Sequence, residues 1–279
     1  MSYQRVLTIQ DISCVGQCSM TVALPILSAC GVETCILPSA VLSTHTGGFS
    51  GPTFRDLTED IPVIQRHWQK EGIRFDVVYT GYLGSTKQIA YVKDILESMV
   101  SAGGMTVVDP AMADNGKLYS GFDDHYVDAM RTLCAGANVI LPNLTEACML
   151  TGTEQPSRYD EVWLQQLMKK LTDLGTGSVI LTGVELTPGQ TGAAIWESGE
   201  LWCYSQQKIA KSYHGTGDIF ASAFVGSCAR GKTRREAVKI AADFTAACIR
   251  RTYENPAHWY GVKFEPVLPE LIRALGGNL

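Results

Sequence analysis

The sequence predicts an α/β fold in which a mostly parallel sheet carries helices on both faces. Short β-rich runs alternate with helical patterns along the chain, the arrangement that produces parallel strands joined by crossover helices. Hydrophobic residues make up 46% and charged residues 18%, ample apolar material for a large core and too much for disorder. With 279 residues and no internal repeat, linker or low-complexity tract, the chain is expected to form one domain over 1–279.

Each element has its own local signal. Residues 6–10 read as the first strand and 17–30 as the first helix, which Pro25 should kink or split. A second strand is expected at 33–37, followed by a loop dense in Gly, Ser, Thr and Pro at 38–52. A helix at 60–71, a strand at 76–80 and a helix at 86–101 ending on Gly103-Gly104 come next. The strand at 105–109 is closed by Pro110, and a polar loop runs to Gly121. A helix at 123–134 leads to a strand at 138–141, then helices at 144–150 and 161–174 and a buried strand at 178–181. Segments 193–196 and 201–205 read as a hairpin, and the remainder as helical, with breaks at Gly231 and over 256–266.

Composition excludes several function classes. A formal charge of −5 and a pI near 5.6 give no basic field for nucleic acid. No apolar run reaches membrane-spanning length and the amino terminus has no signal-like region, so a cytoplasmic protein without membrane partners is expected. The nine cysteines are scattered, and Cys14-x3-Cys18 lacks a second pair at zinc spacing, which favours reduced thiols.

In parallel sheets, ligands sit beyond the carboxyl ends of the strands. The residues expected there are Gln10-Asp11, Thr80-Gly81-Tyr82, Asp109-Pro110, Pro142-Asn143 and Thr182-Gly183. Further on stands His214-Gly215-Thr216-Gly217-Asp218, leading into a run of small and apolar residues that reads as a buried helix. The glycines leave backbone N–H groups uncovered at a helix start, a natural anion site. Asp218 would repel a phosphate unless it takes the proton of an attacking hydroxyl. Taken alone, the same stretch also fits an ordinary turn with a first-turn helix carboxylate.

Gly226-Ser-Cys-Ala-Arg-Gly231-Lys232-Thr233 matches the P-loop pattern, but it continues a helix instead of following a strand. Gly231 reads as a helix stop and Thr233-Arg-Arg-Glu236 as the capping box of the next helix. The dinucleotide fingerprint G-x-G-x-x-G is absent. His45 lies in a hydroxyl-rich loop, His214 precedes the glycine turn, and no histidine falls in a hydrolase or zinc pattern.

Together, Ile9-Gln10 with Gly16, Ser43-Thr44-His45-Thr46-Gly47, Thr80-Gly81-Tyr82-Leu83-Gly84, Asp109-Pro110 with Asp114, Pro142-Asn143-Leu144-Thr145-Glu146 and Gly215-Thr216-Gly217-Asp218 carry a resemblance. Over nearly its full length the chain resembles the pyridoxal (vitamin B6) kinases of the ribokinase superfamily. The resemblance implies a ribokinase-like three-layer fold and transfer of phosphate from ATP to the 5′-hydroxymethyl group of pyridoxal, pyridoxamine or pyridoxine.

It also implies roles. Asp218 would be the base, and the amides of Gly215, Thr216 and Gly217 the anion hole. Asp109, Asp114, Asn143, Glu146 and Thr182 would bind ATP, with Glu146 and Asp109 placing Mg²⁺. Asp11, Thr46, Tyr82 and Tyr119 would line the substrate pocket, and the loop 111–121 would be a flap over ATP. A monovalent cation such as K⁺ and a homodimer are further family features, the apolar segments around the second and third strands being the expected interface.

The chain departs from the family's Ser-His after the Ile-Gln pair, since Asp11-Ile12 stands there. Asp11 could pair with a pyridinium nitrogen or with the amine of pyridoxamine, or signal another heteroaromatic alcohol. Gly183 after Thr182 is a second departure. Hydroxymethylpyrimidine kinases commonly carry Cys at the position of Asp218, and sugar kinases prefer Gly-Ala-Gly-Asp; both remain alternatives. A catalytically silent B6-binding protein is the alternative of another class, disfavoured by Asp218 and Glu146.

Overall fold

The computed structural model describes residues 3–255 and 257–277. Pro256, which opens the expected 256–266 break, and both ends of the expected 1–279 domain lie outside the described residues. Strands β1 (Arg5–Ser13), β2 (Glu33–Leu42), β3 (Phe54–Asp56), β4 (Phe75–Thr80) and β5 (Val100–Val108) form one side of the sheet. A small ribbon, β6 (Ala113–Asp114) with β7 (Lys117–Leu118), stands apart. Strands β8 (Val139–Ile140), β9 (Ser178–Val184), β10 (Gln190–Glu197) and β11 (Glu200–Gln207) complete the sheet, in the order β11-β10-β9-β8-β5-β4-β1-β2-β3. The six from β9 to β2 are parallel, while at the edges β3 pairs antiparallel with β2, β10 with β9 and β11 with β10.

Helices cover both faces, as the sequence predicts. One core packs α1 (Met20–Ala29), α7 (Thr216–Ala229), α8 (Arg234–Tyr253) and α9 (Leu268–Ala274) on the sheet, with a 3-10 turn at Glu265–Val267. The opposite core packs α2 (Asp60–Lys70), α3 (Thr86–Ser98), α4 (Asp124–Cys134), α5 (Leu144–Thr151) and α6 (Glu161–Thr172). β1 lies between β2 and β4, so the strand order reverses beside it and opens a crevice at the carboxyl ends.

Several boundaries differ from expectation, each for a physical reason. β1 runs on to Ser13 through an irregularity between Gln10 and Ile12, which puts Asp11 inside the strand. α1 begins only at Met20, leaving 17–19 as loop, and Pro25 does not split it. Its buried face of Met20, Val22, Ala23, Ile26 and Leu27 holds the helix together across the missing N–H. β2 continues through Pro38 to Leu42, because β3 pairs only with Ala40–Leu42 and no neighbour on that side needs the proline's donor. α3 stops at Ser98, and β5 takes up Gly103 and Gly104. A Cβ on Gly104 would sit 2.7 Å from the Asp76 carbonyl oxygen, so the strands approach there only through glycine. β9 reaches Val184 because β10 pairs with Thr182 and Val184, so Thr182-Gly183 lie within the strand. The P-loop-like letters fall on α7, its stop at Gly231 and the capping box of α8 built by Thr233 and Glu236.

Candidate active site

At the start of α7, Gly215 adopts φ 81°, and a Cβ there would lie 1.9 Å from the Gln17 carbonyl oxygen, so only glycine fits. No side chain caps the helix, which leaves the amides of its first turn facing the crevice. Asp218 stands in that turn, half-buried, and its Oδ2 accepts the Ser19 N–H at 2.9 Å. Desolvation raises its carboxyl to about 7, against the Ser19 bond and with a further push from Asp11. Ser19 itself sits at φ 52°, ψ −129°, a conformation suited to glycine, where it caps the chain's entry to α1.

A second helix start faces the first. Asn143 and Glu146 form a capping box on α5: Asn143 Oδ1 accepts the Glu146 N–H at 3.0 Å, and Glu146 Oε2 accepts the Asn143 N–H at 2.8 Å. Glu146 Oε1 takes the amides of Met112 at 3.1 Å and Ala113 at 3.4 Å. Burial lifts its carboxyl to about 8 against those three amide bonds. Asp109, directly after β5, is also buried, and desolvation with Glu146 and Asp218 nearby holds its carboxyl well above the usual range.

The loop 111–121 is tied down on this side. Asn143 Nδ2 donates to the Ala113 carbonyl at 2.8 Å, and the Gly116 N–H donates to Thr145 Oγ1 at 3.0 Å. Tyr119 lies on this loop, part of its surface open, with its hydroxyl close enough to Glu146, Asp109, Asp114 and Asp218 for burial and those acids to raise it strongly. Asp114 is exposed and bonds its neighbour Asn115. Thr182 bridges to Asn143 and donates to the Pro142 carbonyl at 3.4 Å, which brings it to the same rim.

The third wall comes from β1 and β4. Asp11 is 4% exposed, and its Oδ2 accepts the Ser13 hydroxyl at 2.9 Å. Desolvation raises its carboxyl against the Ser19 and Ser13 hydroxyls and nearby His45. Among the described residues no Lys or Arg forms an ion pair with Asp11, Asp109, Glu146 or Asp218. Tyr82, after β4, stacks on Phe122 at 5.6 Å, and Phe122 stacks on Tyr126 at 3.7 Å. Thr46 is exposed and, among the described residues, makes no side-chain hydrogen bond that ties it to the acids.

Four residues join the site without having been given a role in it from sequence. Ser19 holds Asp218, and no pattern in the letters announces a serine at positive φ. Cys18 lies beside Gly215, its thiol pushed strongly up by burial and by Asp218 and Asp11. Phe122 completes the aromatic wall. His45 is 5% exposed and accepts the Gly47 N–H on Nδ1 at 3.0 Å, so Nε2 carries the proton and donates to the Tyr260 carbonyl at 2.8 Å. A Cβ on Gly16 would meet the His45 ring at 2.0 Å, so the joint presence of Gly16 and His45 was the available signal.

Comparison with known proteins identifies the family. The phosphomethylpyrimidine kinase family model matches residues 26–262. A Bacteroides thetaiotaomicron protein described as a phosphomethylpyrimidine kinase, and solved with pyridoxal, is 35% identical; the match covers 97% of this chain and 96% of that one, with a TM-score of 0.90. The pyridoxal kinase of Lactobacillus plantarum is 32% identical over 98% of both chains, also with a TM-score of 0.90. A bifunctional thiamine biosynthesis protein of Geobacter sulfurreducens is 32% identical over 180 residues, 64% of this chain, and the match spans 36% of that protein's length. The chain therefore belongs to the phosphomethylpyrimidine kinase family of the ribokinase-like superfamily, and is a phosphotransferase with an alcohol as acceptor.

Proposed function

We propose that the chain phosphorylates the 5′-hydroxymethyl group of a B6 vitamer, pyridoxal, pyridoxamine or pyridoxine, at the expense of ATP. One observation carries the reading: Asp218, with a carboxyl raised to about 7, shares a helix turn with the uncapped amides of Gly215, Thr216 and Gly217. A carboxylate with that affinity accepts the alcohol's proton as the oxygen attacks phosphorus. The amides lie beside it to take the charge that develops on the transferring group. Asp11, Tyr82 and Tyr119 would then face the substrate ring, with Thr46 reaching it from the loop.

The acids fit a divalent cation. Mg²⁺ is held through one or two carboxylates plus water and phosphate oxygens, and Asp109 and Glu146 are unpaired acids on one rim. Both Glu146 oxygens already accept amides, so its hold on the ion would run mostly through water. Asn143 serves by fixing Glu146. Bound there, Mg²⁺ would neutralise phosphate charge. Thr182 and Asp114 would lie toward the nucleotide, and the tethered loop 111–121 would keep bulk water from it.

Support for the vitamer comes from the relative solved with pyridoxal and from the Lactobacillus plantarum pyridoxal kinase. A hydroxymethylpyrimidine substrate is the second reading, favoured by the family's description and by the thiamine biosynthesis relative. Steady-state phosphorylation of the three vitamers and hydroxymethylpyrimidine, with Asp218→Asn as control, separates them. Vitamer turnover lost in the variant supports the first reading. Turnover of the pyrimidine alone keeps the mechanism and removes the vitamer.

A further inference from the structure

Behind Asp218, on the sheet side of α7, four fully buried polar side chains interrupt an apolar core. Thr8 and Gln10 project from β1 and Tyr79 from β4, alongside Val6 and Val77 on the face that packs α7. Ser222 lies four residues after Asp218, one helix turn further in on the same side. Gln10 Nε2 donates to Thr8 Oγ1 at 2.7 Å, but among the described residues Gln10 Oε1, the Tyr79 hydroxyl and Ser222 Oγ have no hydrogen-bond partner of normal geometry. The Ser222 and Gln10 side chains lie within hydrogen-bonding influence of the Tyr79 hydroxyl, in geometry too poor for a full bond, and Asp109 and Asp218 are near enough to perturb it.

The orientation of Ser222 is telling. Helix serines commonly satisfy themselves on the carbonyl four residues back, as Ser227 does on Ala223 at 2.7 Å. Ser222 does not, and its hydroxyl is left for the sheet. Gln10 Oε1 lies against Gly81, where a Cβ would come within 2.5 Å of it, so glycine leaves the space this orientation needs. Thr80 also has an unpartnered hydroxyl, but it alternates to the opposite face and does not belong to this group.

Buried polar atoms are rarely left unmade, and an internal water needs two to four polar partners. We infer that Gln10, Tyr79 and Ser222 enclose an internal water molecule behind Asp218, and that Tyr79 is a positioning residue that ties the first turns of α7 to the sheet. The water would accept from one hydroxyl and donate to Gln10 Oε1, linking β1, β4 and α7 at the point from which Asp218 projects. Its occupancy is independent of the proposed substrate; only the kinetic arm of the test rests on the kinase reading.

The test combines crystallography with conservative variants. A crystal structure is expected to show water within hydrogen-bond distance of Gln10 Oε1, Tyr79 Oη and Ser222 Oγ. Tyr79→Phe and Ser222→Ala should each lower Tm, and the double variant should lose less than the sum, because both act through one guest. Tyr79→Phe should also lower kcat three- to tenfold while KM for ATP stays within twofold. An empty pocket, or a rubidium anomalous signal in its place, overturns the water. A rise in Tm for Tyr79→Phe, as deleting a truly orphaned hydroxyl would give, does the same. Unchanged kcat with a lowered Tm removes the positioning role.

Discussion

Asp218→Asn separates what the carboxylate does for chemistry from what it does to stability. The amide keeps the shape and can still accept the Ser19 N–H, now 2.9 Å from Oδ2, but cannot take a proton. Losing a general base lowers kcat by about 100- to 10,000-fold. Stability should move the other way. The carboxyl's ordinary value of 3.8 is raised to about 7 in the folded chain, so ionisation disfavours the fold. Below pH ~4 the group is protonated in both states and costs nothing. Between ~4 and ~7 the unfolded chain ionises first, and above ~7 the penalty is complete, with an upper bound of roughly 4 kcal/mol. The variant should therefore gain Tm over the parent at pH 8, by about 5–10 °C, and less than half of that at pH 5. Thermal melts at both values and a coupled assay for ADP release measure the two effects. Equal stabilisation at pH 5 and pH 8, or kcat within tenfold of the parent, would refute the reasoning.

Other changes test the remaining walls. Glu146→Gln should raise the Mg²⁺ concentration needed for half-maximal activity by about tenfold or more, with the vitamer KM within threefold, as a magnesium titration would report. Asp11→Ser or Asp11→Asn should alter the order of kcat/KM among pyridoxal, pyridoxamine and pyridoxine. An unchanged order means that Asp11 does not pair with a cationic nitrogen. Ser19→Gly and Ser19→Ala both lose the hydroxyl that faces Asp11, yet only glycine relieves φ 52°. The glycine variant should be the more stable by about 1–2 kcal/mol in denaturant melts, the reverse of the usual loop ranking.

What the sequence makes legible is whatever has a local cause. The alternation of strands and helices, the capping box at Thr233 and the glycine stop at Gly231 all follow from nearest-neighbour chemistry, and the fold reproduces them. Misjudged boundaries lie where tertiary pairing overrides a local breaker. Pro38 is carried along by β1, Gly103 and Gly104 fall in the irregularity between the Val100 and Met105 pairings with β4, and Thr182 is captured by β10. The acids at the strand ends were readable because turn residues and carboxylates mark the rim of a parallel sheet. The roles of Ser19 and His45 were not, because their partners come from chain segments far away in sequence. Ser19 meets Asp218 across 199 positions and His45 meets Tyr260 across 215.

Glu146 and Asp218 show how one local position yields two kinds of acid. Each is the third residue inside its helix, where the dipole favours negative charge. At α5 the cap is Asn143, so Glu146 folds back onto the cap amide and also gathers Met112 and Ala113. Its oxygens are occupied by amide donors and it becomes a fixed structural anchor. At α7 the cap is Gly215, which has no side chain to offer, and Asp218 is too short to close a capping box. Its carboxylate is caught instead by Ser19 from another segment, which uses a single amide and, among the described residues, leaves Oδ1 without a protein donor. The amides of Gly215, Thr216 and Gly217 also stay uncapped, and a Cβ on Gly217 would meet nothing within 4 Å. Exchanging an asparagine cap for glycine thus converts a structural helix start into one that can receive an anion and a proton side by side.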